Sequence, residues 1–189
     1  MTSTAAPTSR ARVLPRRWPA VAGVVVAGMT AYGLATGVDL APILAASGLV
    51  YLGAAALRKP MAAWWVFLGT FVVVGAGKAI GEAAFATWLI LVLAAAFALF
   101  GVVRGVLRPA YGLPLQSLAM LAFGGVAAVA LAVDENAGAY LVAAGLLGHA
   151  AWDVYHHRVN RVVVRSLAEF CVVLDTLLAI VIVVITVRG

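Results

Sequence analysis

Residues 83–103 read AAFATWLILVLAAAFALFGVV, a run from Ala83 to Val103 without a single charge. A hydrocarbon core of about 30 Å needs roughly 20 such residues in a helix, so this stretch is long and apolar enough to cross a membrane. Similar runs surround it, at Trp18 to Ala35, Asp39 to Leu57, Met61 to Gly77, Pro114 to Val133, Ala137 to His157 and Ser166 to Val187. The pattern predicts an all-α integral membrane protein, a bundle of seven transmembrane helices. Composition agrees: hydrophobic residues occupy 65% of 189 positions and charged residues only 11%, too few to cover a soluble fold of this length. Two regions are expected, a disordered basic cytoplasmic tail over 1–17 and a transmembrane domain over 18–189.

Charge placement sets the expected orientation. With the N-terminus in the cytoplasm, Arg10, Arg12, Arg16, Arg17, Arg58, Lys59, Arg104, Arg108, Arg158, Arg161 and Arg165 all fall on the cytoplasmic side. Lys78 and Arg188 fall outside with Asp39, Glu82, Asp134 and Glu135, the asymmetry of the positive-inside rule. Seven spans then put the C-terminus outside, and the expected location is a cell membrane, crossed many times, as in a bacterial inner membrane. The net charge of +6 is thus read as a topology signal, and no nucleic-acid partner is expected. The lone Cys171 excludes a disulfide within the chain. Trp18, Trp64, Trp65, Trp88 and Trp152 are placed at helix ends as interfacial anchors. Gly77 with Gly81 and Gly101 with Gly105 have GxxxG spacing, read as close helix packing.

All three histidines lie in one stretch, His149-Ala150-Ala151-Trp152-Asp153-Val154-Tyr155-His156-His157. At about 100° per residue, His149, Asp153, His156 and His157 occupy one face of a helix. If the last helix returns antiparallel, His149 matches Asp175 in depth and Asp153 matches Glu169. Asp175 lies about 13 Å beyond Ser166 in an apolar run, where an ionisable group is costly and faces the bundle interior or a hydrated cavity. Glu169 has a structural alternative, because Ser166 to Glu169 fits a capping box. Lys78 and Glu82 would form an i, i+4 surface pair if the third helix continued through its loop. Gln116 and Ser117 either line a pocket or are solvated at the interface.

The string His149-x-x-Trp152-Asp153-x-x-His156-His157, followed by Cys171-x-x-x-Asp175-x-x-Leu178-Ala179, resembles a motif of small bacterial integral membrane proteins with no assigned activity. The resemblance covers the last third of the chain and implies a site without naming its reaction. Neither Lys59 nor Lys78 lies mid-span to carry retinal as a Schiff base. The seven-helix zinc hydrolases that include alkaline ceramidases and adiponectin receptors take histidines from separated helices, a pattern from which this sequence departs. Integral-membrane terpene cyclases are similar in helix count and in their use of carboxylates.

The leading expectation is a membrane enzyme acting on a lipid-soluble substrate, such as an isoprenoid, by protonation-driven isomerisation or cyclisation. Asp175, Asp153, His149 and Glu169 are its candidate catalytic residues, with membrane lipid and a hydrophobic small molecule as partners. The alternatives are a proton-coupled or metal-ion transporter using the same cluster, and a small structural or assembly subunit. The cofactor is either none or a divalent metal such as zinc or iron, held by His149, Asp153, His156 and Asp175. A homo-oligomer is compatible with all three.

Overall fold

The computed structural model describes residues 17–188; the first sixteen residues of the expected tail lie outside the described residues. The chain is all-helical, with seven α-helices among the described residues: α1 Trp18–Ala31, α2 Ala41–Leu57, α3 Ala62–Ala79, α4 Ala83–Val103, α5 Leu113–Ala130, α6 Glu135–Val159 and α7 Arg165–Arg188. A 3-10 turn, Gly37–Leu40, leads into α2. Five segments are long and apolar enough to cross a membrane: Gly37–Leu57, Ala62–Ala79, Ala83–Val103, Leu113–Ala130 and Arg165–Arg188. The other two differ for separate reasons. Helix α1 has only 14 residues, and α6 is long enough at 25 but gives up apolar positions to His149, Asp153, His156 and His157.

The expected first span reaches Ala35, yet α1 stops at Ala31, where Tyr32 turns to extended backbone. The Lys78 ammonium fixes this end by donating to the carbonyls of Thr30 at 2.9 Å and Tyr32 at 2.7 Å. A cation over the last carbonyls of a helix satisfies acceptors that have no partner along the helix. The expected Lys78 and Glu82 pair is thereby replaced, since α3 ends at Ala79 and Gly81 turns the chain with a φ of 74°. The GxxxG readings divide in the same way. Gly77 and Gly101 pack closely, against Ala86 and Leu113, whereas Gly81 and Gly105 are turn residues with positive φ and open space where a side chain would be. Only a glycine adopts that backbone without strain.

Helix α2 is the centre of the bundle. It is buried along almost its whole length and packs against α3, α4, α5 and α6, while α7 packs against α6 and α1. Its small residues allow this crowding: Gly48 meets Met120 and Gly53 meets Val66. Contacts between helix ends show successive helices running in opposite directions. The starts of α1 and α7 are joined by an ion pair of Arg17 and Glu169 at 3.0 Å, and the start of α3 joins the same end through the Trp64 indole, which donates to the Ser166 hydroxyl at 3.2 Å.

Two of the tryptophans expected as interfacial anchors, Trp64 and Trp152, are instead partly buried in packing between side chains. Trp64 stacks on Trp18 and packs against Phe170, and Trp152 lies against His156, while Trp18, Trp65 and Trp88 remain exposed. The Ser166 to Glu169 capping box does not form, because α7 begins at Arg165 and both side chains have other partners.

Gly23 sets the approach of α1 to α7. A Cβ there would lie 2.7 Å from the backbone oxygen of Phe170, which cannot swing aside, whereas one at Gly28 would meet nothing within 4 Å. Gly23→Ala should lower stability in detergent by about 1–3 kcal/mol and Gly28→Ala should leave it unchanged or slightly raised. Thermal unfolding of the two variants checks this; equal effects would mean that α1 does not dock as described.

Candidate functional site

Helices α6 and α7 face each other over most of their length, and their polar residues meet at one depth. His149 and Asp153 are one turn apart on α6, so both project from the same face. Asp175 faces them from α7, where the five apolar residues Phe170 to Leu174 separate it from Glu169. The three side chains are completely buried, with exposures of 1% for His149 and 0% for both aspartates. The His149 Nδ1 lies 2.7 Å from Asp175 Oδ2 and 3.0 Å from Asp153 Oδ2. Only the contact with Asp175 has hydrogen-bond alignment, so the Nδ1–H donates along α6 to α7 and Asp153 Oδ2 sits beside that axis.

A fourth group comes from α2. The Tyr51 hydroxyl donates to Asp153 Oδ1 at 2.6 Å, a short bond of the kind made to an ionised acceptor. Its ring lies edge-on to His149 at 5.4 Å and to His156 at 4.8 Å, and Phe123 closes on His149 from α5 at 5.0 Å. The polar groups are thus enclosed by aromatic rings from two further helices.

His156 belongs to an adjoining arrangement. Its Nδ1 lies 3.0 Å from the Trp152 carbonyl and its Nε2 lies 3.4 Å from the Gln116 amide nitrogen. Because a carbonyl only accepts, His156 carries its proton on Nδ1 and its Nε2 accepts from Gln116, whose amide also donates to the Tyr111 carbonyl at 3.1 Å. His156 is therefore placed outside the group of metal-competent donors, which comprises His149, Asp153 and Asp175. Glu169, the fourth catalytic candidate, is also placed apart: it pairs with Arg17 near the end of the bundle. That Arg17 belongs to the same end of the fold depends on α1 packing against α7.

No protein-family model, curated protein or solved structure matches the chain. The candidate site is accordingly argued from its own geometry.

Tyr51 and Gln116 are what sequence reading misses or leaves open. Tyr51 lies in the apolar run LVYLG of α2, where a tyrosine needs no special explanation, and only the packing of α2 on α6 reveals its partner. Gln116 was open to a solvated reading; it is fully buried.

Nitrogen and carboxylate donors suit zinc or iron, and the ligand atoms of His149, Asp153 and Asp175 all lie within 4.8 Å of one another. Two ligands of one tetrahedral zinc, each at 2.0–2.1 Å, stand roughly 3.3 Å apart. The 2.7 and 3.0 Å separations are hydrogen-bond spacings, so the arrangement as it stands holds a proton, and a metal would require the carboxylates to draw back by a few tenths of an ångström. Three buried atoms of the cluster are without a hydrogen bond, His149 Nε2, Asp153 Oδ2 and Asp175 Oδ1, as are Gln116 Oε1 and Trp152 Nε1 beside it.

Removing the imidazole would leave two buried carboxyl groups facing each other. His149→Leu should cost about 3–5 kcal/mol, and adding Asp175→Leu should recover part of that loss. Tyr51→Phe, which strips one bond from Asp153, should cost about 1.5–3 kcal/mol. Chemical denaturation in detergent measures all three, and a strictly additive double variant would show that His149 and Asp175 do not interact.

Proposed function

We propose that this chain is a seven-span protein of a cell membrane, such as a bacterial inner membrane, whose His149, Asp153 and Asp175 cluster takes up and releases protons in coupled transport. The basic ends of α1, α2, α4 and α6 face the cytoplasm in this reading, with the acidic Asp39, Glu82, Asp134 and Glu135 at the other end. Helices α1 and α6 complete the count of seven. The 14 residues of α1 span by shortening the distance with interfacial residues at its ends, and α6 spans because its polar face is turned inward.

The observation that carries the proposal is one imidazole N–H placed between two fully buried carboxyl groups. Isolated charge is expensive in such a place, and electrical neutrality of the three groups is reached with two added protons: one carboxylic acid, one carboxylate and an imidazolium, or two carboxylic acids and a neutral imidazole. These states differ only by short proton shifts between atoms 2.7 Å apart toward Asp175 and 3.0 Å apart toward Asp153. Ionisable groups that face a bundle interior in this way form proton relays in pumps and transporters. A divalent cation displacing both protons preserves neutrality when it meets two carboxylates and a neutral imidazole. Proton release and cation uptake are thus linked by charge.

A second reading, a membrane enzyme acting on an isoprenoid or other lipid-soluble substrate, draws on a different observation. An apolar cavity of about 160 Å³ lies between α1, α2, α3 and α7, lined by Phe67, Phe71 and Leu174, the residue before Asp175. Aromatic rings in such a chamber would stabilise a developing carbocation, with Asp175 or Asp153 as proton donor. The fully enclosed cluster favours proton handling over direct contact with a substrate.

Infrared spectra of purified protein across a pH titration should contain a protonated-carboxyl band that disappears as pH rises, is abolished by Asp175→Asn and is altered by Asp153→Asn. Liposomes holding a pH-sensitive dye should report proton efflux when zinc or manganese is added outside, and Asp175→Asn should remove the response. A wild-type protein without any protonated-carboxyl band at neutral or mildly acidic pH would sink the proton reading. Conversion of an added polyprenol by the wild type, without cation-driven efflux, would transfer support to the enzyme.

A further inference from the structure

The basic end of the bundle contains a cavity of about 210 Å³ between the end of α2, the start of α5 and the loops beside them. Arg58, Lys59 and Arg108 line it, with Tyr111 and Gly112 among the other lining residues, and the lining includes no acidic residue. None of the three cations has a carboxylate within ion-pair distance among the described residues. Ordinary topology signals are dispersed around the rim of a bundle; these three converge on one concavity.

A second feature of the same cavity points to an anion. Helix α5 begins there with Gly112 at its cap; Pro114 has no N–H and the Gly112 and Leu115 amides donate to the Pro109 and Ala110 carbonyls, so this end contributes the positive pole of an 18-residue helix and no array of free amides. The opposing carbonyl end of α2 does not cancel it, because the Arg58 and Lys59 amides already donate to the carbonyls of Ala54 and Ala55. Arg58 also reaches across to the Arg108 carbonyl at 3.4 Å, which draws the α2–α3 and α4–α5 loops together around the cavity. Two arginines and a lysine around one concavity, beside the positive pole of a helix, suit a phosphate oxyanion.

We infer that the cavity lined by Arg58, Lys59 and Arg108 at the start of α5 binds a phosphate group. Its floor is formed by Ala54 and Leu113, buried residues that seal it from the core. Tyr51 and Gln116 follow one helical turn deeper on the same two helices, about 4.5 Å along each axis. The phosphate site therefore lies over the polar core without sharing residues with it, and it stands independently of the proton reading. The phosphate belongs either to a lipid headgroup entering from the membrane or to a free anion entering from water.

Two variants of equal charge separate a built site from general attraction: Arg58→Gln, Lys59→Gln, Arg108→Gln, and a control of Arg104→Gln, Arg158→Gln, Arg165→Gln on the same end of the bundle. Native mass spectrometry of protein released from nanodiscs of mixed phosphatidylglycerol and phosphatidylcholine reads lipid retention. Thermal unfolding in detergent with inorganic phosphate or pyrophosphate reads the free anion. The wild type and the control should hold phosphatidylglycerol preferentially or be stabilised by the free anion, and the cavity variant should lose about tenfold or more of that preference. The arm that responds identifies the source. Loss of equal size in both variants, or no response in either arm, overturns the inference; Arg108→Gln alone replaces the triple variant if that does not fold.

Discussion

Helix α6 can be as polar as it is only because His149 donates to Asp175. An imidazole and two carboxyl groups within an apolar bundle have no water to solvate them, so each must find its partner in another side chain. This constraint fixes the rotation of α6, because His149 and Asp153 must face α7, and it fixes the height of α7, because Asp175 must stand opposite His149. Tyr51 extends the requirement to α2, the helix on which α3, α4 and α5 pack. The small residues along α2 follow from that central position, since only glycine and alanine allow so many neighbours to approach a single axis.

The helices themselves were legible in the sequence because their cause is local. A run such as Ala83 to Val103 must satisfy its backbone internally wherever lipid surrounds it, and the observed α4 has those same bounds. Ends were less legible where their cause lies on another helix. Gly33, with a φ of 67°, is a local stop just beyond α1, but nothing between Trp18 and Ala35 announces the lysine more than forty positions later that caps the last carbonyls.

The candidate site divides along similar lines. An antiparallel return after a short loop is enough to place His149 and Asp175 at the same depth, and the structure brings those residues together with Asp153. Depth alone also pairs Asp153 with Glu169, and there it misleads: Glu169 turns toward Arg17 while Tyr51 bonds Asp153. Helix rotation and the order of helices around α2 decide between such alternatives, and neither is written in the periodicity of an almost wholly apolar chain. His156 shares a face with His149, yet the Trp152 carbonyl and the Gln116 amide occupy its two nitrogens.

A cluster that served only to clasp α6 to α7 would be expected to satisfy the atoms that it buries, because an unpaired polar atom in a dry interior offsets much of what the clasp contributes. Within the cluster one hydrogen bond joins the two helices, with a second from Arg165 to the His157 carbonyl at their end, while His149 Nε2, Asp153 Oδ2 and Asp175 Oδ1 remain without one. Apolar residues of similar volume would pack the same gap at lower cost. The unsatisfied atoms give the cluster more acceptor positions than its bonds use, in keeping with the proton exchange proposed for it. Stability and function thus place opposing demands on the same residues. Under the proposed function, the aromatic rings of Tyr51 and Phe123 against His149 reconcile them by enclosing the groups that would exchange the proton.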